Sequence, residues 1–204
     1  MTTPLRRRAA KRNDFETGLV RSKAFTIIKG KSFFRERIKL ASGVESDFYF
    51  NMKPAMLDPE GAALIAQMLL DRLDGLNVDY VGGLAMGAVP LVATVAMFSS
   101  MSERCSKPIS GFVVRKEVKD HGTRLKIEGL ARDETLEGKT VAILDDVTTS
   151  GGSAMIAVDE AIKAGAKIVL VLAVVDRGEG AKEFYENKGL PFESLFTADE
   201  FLNA

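Results

Sequence analysis

Val141 to Ser153 reads VAILDDVTTSGGS, and three kinds of chemistry follow one another within it. Val141 to Leu144 is purely apolar, too short for a helix and rich in β-branched side chains. That is the signature of a strand covered on both faces of a parallel sheet. Asp145 and Asp146 stand where this strand ends. Thr148, Thr149, Ser150, Gly151, Gly152 and Ser153 then form a turn of small and hydroxylic residues before the helical pattern that opens at Ala154. Such a turn lets backbone N–H groups converge at a helix N-terminus, where an anion is welcome. Two acids would repel a bare phosphate, but they suit the hydroxyls of a ribose that carries a 5′-phosphate, since carboxylates accept hydrogen bonds. Neither G-x-x-x-x-G-K-[ST] nor G-x-G-x-x-G occurs in the stretch. The plain alternative is a strand-to-helix loop with an Asp N-cap.

The same alternation extends outward on both sides. Asp58-Pro59-Glu60 opens a helix, with Leu64, Ile65, Met68, Leu69 and Leu73 at helical spacing. A strand over Tyr80 to Leu84, a helix over Val89 to Met101 and a strand over Ile109 to Val114 follow. Beyond the strand Thr140 to Leu144, a helix from Ser153 to about Ala164 is stopped by Gly165, and Lys167 to Val175 is a further strand. Strands alternating with helices of this length predict right-handed βαβ units: an α/β fold with a central five-stranded, mostly parallel sheet flanked by helices. Ligands belong beyond the C-terminal ends of its strands. Upstream, a helix starts near Asn13-Asp14-Phe15-Glu16 and closes at Gly30. Phe33 to Leu40 and Ser46 to Met52 then form two strands joined tightly through Ala41-Ser42-Gly43, hence antiparallel and outside the main sheet. Thr197-Ala198-Asp199-Glu200 is a capping box for a last short helix.

Composition narrows the class. The 204 residues make one domain, 46% apolar and 27% charged, with 28 basic residues balanced by 28 acidic ones. Nothing in that balance favours nucleic acid or a membrane surface, and no apolar run approaches the ~18 residues of a membrane span. One cysteine, Cys105, excludes an internal disulfide and fits a reducing cytoplasm. Residues 1–12, with Arg6-Arg7-Arg8 and Lys11-Arg12, read as a solvated tail; a transit peptide or a nucleic-acid arm are the alternatives.

Two more stretches carry charge at predicted strand ends. Arg115-Lys116-Glu117-Val118-Lys119-Asp120-His121-Gly122 is polar and basic through Gly129, has few apolar anchors, and contains the only histidine. Such a loop is expected to stay mobile until a ligand arrives, and its cations suit a pyrophosphate; a solvated charge run is the alternative. Asp176-Arg177-Gly178-Glu179-Gly180 follows the strand at 167–175. Arg177 there can clamp a planar carboxylate in bidentate fashion, or pair structurally with Asp176 or Glu179.

Together these motifs resemble the type I phosphoribosyltransferases. The apolar strand with D-D-x-x-T-x-G-x-[ST] resembles their motif for 5-phosphoribosyl 1-diphosphate (PRPP), and RKEVKDHG resembles the R-K-x-x-K-x-H-G catalytic loop of the orotate-specific branch. Ser42-Gly43 with Phe48-Tyr49-Phe50-Asn51 resembles that branch's N-terminal hood, and Gly82-Gly83-Leu84-Ala85-Met86-Gly87 its Gly-rich pyrophosphate loop. Some members carry lysines in the hood and in the Gly-rich loop, where this chain has Ala41 and no lysine over Ala85–Gly87.

The resemblance implies transfer of the 5-phosphoribosyl group from PRPP to orotate, giving orotidine 5′-monophosphate and pyrophosphate in pyrimidine (UMP) synthesis. It implies that Arg115, Lys116, Lys119, His121, Asp145, Asp146, Val147, Thr148, Thr149, Ser150, Gly151, Gly152 and Ser153 bind PRPP, with Lys119, His121, Asp145 and Asp146 in the chemistry. Thr149, Arg177 and the hood residues Tyr49 and Phe50 would meet orotate. Mg²⁺ is the implied cofactor, carried by the diphosphate rather than by a protein cage. A homodimer is implied, the basic loop of one subunit reaching its neighbour's site. The whole chain would be one such domain, with about residues 13–55 and the C-terminal segment forming the hood. Two alternatives stay open: a phosphoribosyltransferase for another base, and a non-catalytic PRPP-sensing regulator. The first would lack both RKxxKxHG and the Asp-Arg pair; the second would usually lose the basic loop and add a DNA-binding module.

Overall fold

The computed structural model of the chain describes residues 4–39, 45–101, 107–116 and 126–204. It opens with α1 (Pro4–Lys31) and four two-residue strands, β1 (Phe33–Phe34), β2 (Ile38–Lys39), β3 (Glu45–Ser46) and β4 (Tyr49–Phe50). The helix expected from Asn13 therefore begins earlier, at Pro4, and runs through Gly30 to Lys31. The two upstream strands are antiparallel as the tight connection predicts, with Phe33 opposite Phe50 and Ile38 opposite Ser46. Each is interrupted midway. Ser46 Oγ donates to the Phe48 carbonyl at 2.9 Å, a local side-chain bond that turns the backbone out of the ladder.

After α2 (Lys53–Met56), α3 (Pro59–Leu73) starts at Asp58, whose carboxylate accepts from Glu60 N at 3.1 Å and Gly61 N at 2.9 Å. There follow β5 (Tyr80–Leu84), α4 (Val89–Met101), β6 (Ser110–Val114), β7 (Ile127–Glu128), β8 (Thr140–Thr148), α5 (Gly152–Lys163), β9 (Lys167–Asp176), α6 (Ala181–Glu186), β10 (Phe192–Thr197) and α7 (Ala198–Leu202). The capping box at Thr197 and Glu200 is formed.

The sheet order is β10-β9-β8-β5-β6-β7. Five strands run parallel, four of them those the alternation marks, and β7 adds a short antiparallel sixth at the edge. The fifth parallel strand includes one the sequence pattern hides: β10, whose Phe-Glu-Ser-Leu-Phe has neither a clean alternation nor an apolar run. The chain winds from β5 out to β6, then returns across β5 to β8 and continues the other way to β10. Doubly wound sheets open a crevice beyond the C-terminal strand ends where the winding reverses, here between β5 and β8.

Both faces of the sheet are covered. α3 and α4 bury Ile65, Leu69, Leu91 and Val95 against Leu144 and Leu172, and α5 and α6 bury Val158 and Tyr185 against Val141 and Ile143. The upstream strands pack through an aromatic cluster continuous with the core on the α3 and α4 face. Phe25 stacks on Phe201 at 4.4 Å, and Phe33 and Phe50 lie 5.7 Å and 5.2 Å from the same ring.

Candidate active site

β8 runs on through Thr148, so Asp145 and Asp146 are its last turns of pleat rather than residues beyond it. Successive strand residues face opposite ways, and the two acids have different neighbours. Asp145, 7% exposed, lies on the side of the buried Tyr185; burial, then the charge of Asp146, pushes its carboxyl up to about 8. Asp146 is half-buried against Gly87 and near Lys53 at the start of α2. Burial raises its pKa too, while backbone N–H bonds and the Lys53 cation pull the other way. A Cβ at Gly87 would come 2.5 Å from Asp146 Oδ1, so glycine is what lets the loop after β5 close on the acid. The Ala85–Met86 peptide in this loop is cis.

The turn after β8 leads into α5 with Gly151 as N-cap in the left-handed region, at φ +85°, and no side-chain cap. Ser150, Gly152 and Ser153 are exposed, Thr149 is half-buried, and Val147 packs into the larger core cluster. Thr148 is buried, and its hydroxyl has no hydrogen-bond partner among the described residues. The N-terminus of a three-turn helix thus presents open N–H groups at the mouth of the crevice.

Arg177 joins this turn through the backbone: its N–H donates to the Thr148 carbonyl at 3.0 Å. Its side chain is 3% exposed and held from three sides. Nε donates to Glu179 Oε1 at 2.8 Å, Nη2 to Ser46 Oγ at 3.0 Å, and the guanidinium lies 4.2 Å from the Phe48 ring centroid. Asp176 instead accepts from Gly178 N at 2.9 Å. Arg177 is therefore both the cation the sequence singles out and the partner of Glu179, and it fastens the hood to the sheet.

Of the hood aromatics, Tyr49 is exposed. Phe50 is 5% exposed and spent on the core with Phe33, Phe48 and Phe201. Its ring is a packing element, and Phe48 is the aromatic that reaches Arg177. Ser46, Phe48, Lys53 and Tyr185 escape a sequence reading as site residues. Only Phe48 leaves a trace, within the hood motif Phe48-Tyr49-Phe50-Asn51.

The basic stretch is described at its base. Arg115 Nη1 donates to Glu128 Oε1 at 3.0 Å, Arg115 N pairs with Lys126 O at 2.9 Å, and Lys116 is exposed. β6 and β7 thus form an antiparallel arm leading out from the sheet edge. Lys119 and His121 lie outside the described residues, as do Ala41, Ser42, Gly43 and Cys105. Among the described residues there is no group of three or more His, Cys, Asp or Glu side chains that could hold a metal, and no helix long and apolar enough to cross a membrane.

Residues 55–192 match the phosphoribosyl transferase domain family, so the class is a phosphoribosyltransferase. The orotate phosphoribosyltransferase of Rhodopseudomonas palustris is 55% identical over 183 residues, 90% of this chain and 96% of that protein. Mycobacterium tuberculosis orotate phosphoribosyltransferase in complex with Fe(III) dicitrate superposes with a TM-score of 0.75 at 31% identity, covering 89% of this chain and 98% of that one. The same enzyme in complex with PRPP gives a TM-score of 0.72 at 29% identity, with the same coverage of both chains. This chain belongs to the orotate phosphoribosyltransferase family.

Proposed function

We propose that the crevice between β5 and β8 takes PRPP and orotate and transfers the 5-phosphoribosyl group to orotate N1, releasing pyrophosphate and forming orotidine 5′-monophosphate. The observation that supports this reading is the backbone bond from Arg177 to Thr148, by which a buried cation lies beside the small-residue turn and two acids. Breaking the bond from C1 to pyrophosphate leaves positive charge on the ribosyl ring and negative charge on the leaving group, as in glycoside cleavage. Asp145 and Asp146 accept the ribose hydroxyls and face the developing positive charge. Hydroxyl donors favour the ionised carboxylate, so ligand binding and ionisation of Asp145 go together. Burial favours the neutral form of Asp145 until such donors arrive, which eases the approach of an anion.

The turn 147–153 receives the 5′-phosphate, while Thr149 and Arg177 receive orotate with Tyr49 at the rim. Arg115, Lys116, Lys119 and His121 meet the pyrophosphate as its charge develops. Two carboxylates with opposite outlooks are too few for a dedicated Mg²⁺ cage. They would suit an ion carried mainly by the diphosphate, with Asp146 the half-buried carboxylate able to face it. When bound, Mg²⁺ neutralises leaving-group charge.

The reading includes one domain over the whole chain, with about residues 13–55 and the C-terminal segment as its hood; the Phe25–Phe201 stack supports that grouping. It includes a homodimer in which the basic loop serves the neighbouring site. In support, α4 carries no charged residue, and Met97 and Met101 on it are exposed. A cytoplasmic location is consistent with the lone cysteine. The test is direct: orotate absorbance should fall when PRPP and Mg²⁺ are added, and neither adenine nor uracil should substitute. An unchanged absorbance with folded protein overturns the reading.

A further inference from the structure

Nothing assigned so far explains what holds the phosphate turn in shape. α5 lacks a side-chain cap, and a helix N-terminus that keeps its N–H groups open for a ligand must be braced from elsewhere. The brace is in α6. Tyr185 is fully buried, stacked on Phe192 at 5.1 Å and edge-on to Phe184 at 5.3 Å. Its hydroxyl donates to the Gly151 carbonyl at 2.7 Å, across 34 residues of chain.

Packing alone would be served by phenylalanine, so the hydroxyl has a separate task. The Gly151 carbonyl also accepts the N–H of Met155 at 3.2 Å, so both its lone pairs are engaged from the interior. A peptide unit is planar and trans, with C=O and N–H pointing in opposite directions. Holding the Gly151 oxygen inward therefore turns the Gly152 N–H outward, at the open end of α5. The turn is also seated against α6. A Cβ on Gly151 would come 2.7 Å from the Phe184 ring and 3.0 Å from that of Tyr185, so only glycine lets the two approach this closely.

We propose that Tyr185 is a positioning residue for the 5′-phosphate of PRPP: by fixing the Gly151–Gly152 peptide plane it aims the Gly152 N–H into the cradle. This rests on the reading that the turn 147–153 takes that phosphate. Ribose 5-phosphate and inorganic pyrophosphate probe the two ends of PRPP separately. Tyr185→Phe should weaken ribose 5-phosphate and raise the PRPP KM by about ten-fold, the scale of one lost hydrogen bond. Pyrophosphate affinity and the orotate KM should stay within two-fold. Equal losses for both probes, or no loss for either, would overturn the proposal.

The wild-type enzyme supplies a second reading that no folding defect can spoil. On titration with ribose 5-phosphate, the Gly152 amide resonance should shift more than that of Met155, and a stationary Gly152 resonance overturns the assignment. The underlying site is tested apart from Tyr185 by Thr149→Ala and Ser153→Ala. If ribose 5-phosphate binds equally well to both variants, the phosphate does not sit in this turn, and that reading fails first.

Discussion

The end of β8 and the hood face each other across the site and are built in opposite ways. β8 lies between two parallel neighbours, its residues Val141 to Leu144 are wholly buried, and beyond Ile143 its end is held by the ladder with β9, where Asp145 lies opposite Ala173 and Thr148 opposite Asp176. The hood has two-residue strands, a serine that diverts its own backbone, and an aromatic cluster in place of a sheet. What fastens it at the site is the Arg177 side chain, reaching from the head of β9 to Ser46 and Phe48. On the proposed reading, the sugar and phosphate half is preformed by the fold, and the base half depends on one guanidinium that would also serve the substrate.

That contrast can be broken from the β8 side first. Asp145→Asn combined with Asp146→Asn should leave the fold standing, because both changes keep shape and relieve buried charge, yet lower kcat/KM for PRPP by about 10²-fold or more. Steady-state kinetics with a melting curve decide it; a folded double variant with wild-type kinetics removes the acids from the mechanism. The next effect lies on the hood side. Arg177→Lys keeps the charge but loses the planar fork, so the orotate KM should rise about 10- to 100-fold, the worth of a charge-assisted hydrogen bond of ~1.5–3 kcal/mol. The PRPP KM should hardly move, and if it alone rises, Arg177 belongs to the other half of the site.

A third effect concerns stability. Asp145 has a folded pKa of about 8 against an ordinary 3.8, so between those values the folded state holds a proton that the unfolded state has released. Its contribution is fully present below the lower value and is lost as pH rises through the upper one. Relative to Asp145→Asn, the wild-type melting temperature should therefore fall between pH 4 and pH 8, by about 10 °C or more for a chain of this size. Parallel profiles for the two proteins would mean that Asp145 is ionised in the folded state throughout.

The two regions also differ in how far their sequences disclose them. β8 announces itself because double-sided burial demands an unbroken apolar run, and the acid pair and small-residue turn need no distant partner to be recognised. Arg177 is legible as a cation at a strand end, though its hold on Ser46 and Phe48 is a contact across some 130 residues that no local pattern encodes. Tyr185 is harder still: in Glu183-Phe184-Tyr185-Glu186 it resembles any surface helix, and only the folded chain sets its hydroxyl under Gly151. β10 is missed for a related reason, since an edge strand with one neighbour in the sheet has no need of a regular pattern.

The stack of Phe25 on Phe201 has a consequence in time as well as in space. Closing a contact over most of the chain costs more loop entropy than any step within a βαβ unit. The sheet supplies the platform that makes this closure favourable, because Phe196 of β10 also lies against both rings. The N-terminal part of the hood, although translated first, should therefore be the last part to consolidate and the first to loosen. Amide exchange in β1 and β4 should outpace that in β8 under native conditions; equal protection of the two would place hood and sheet in a single cooperative unit.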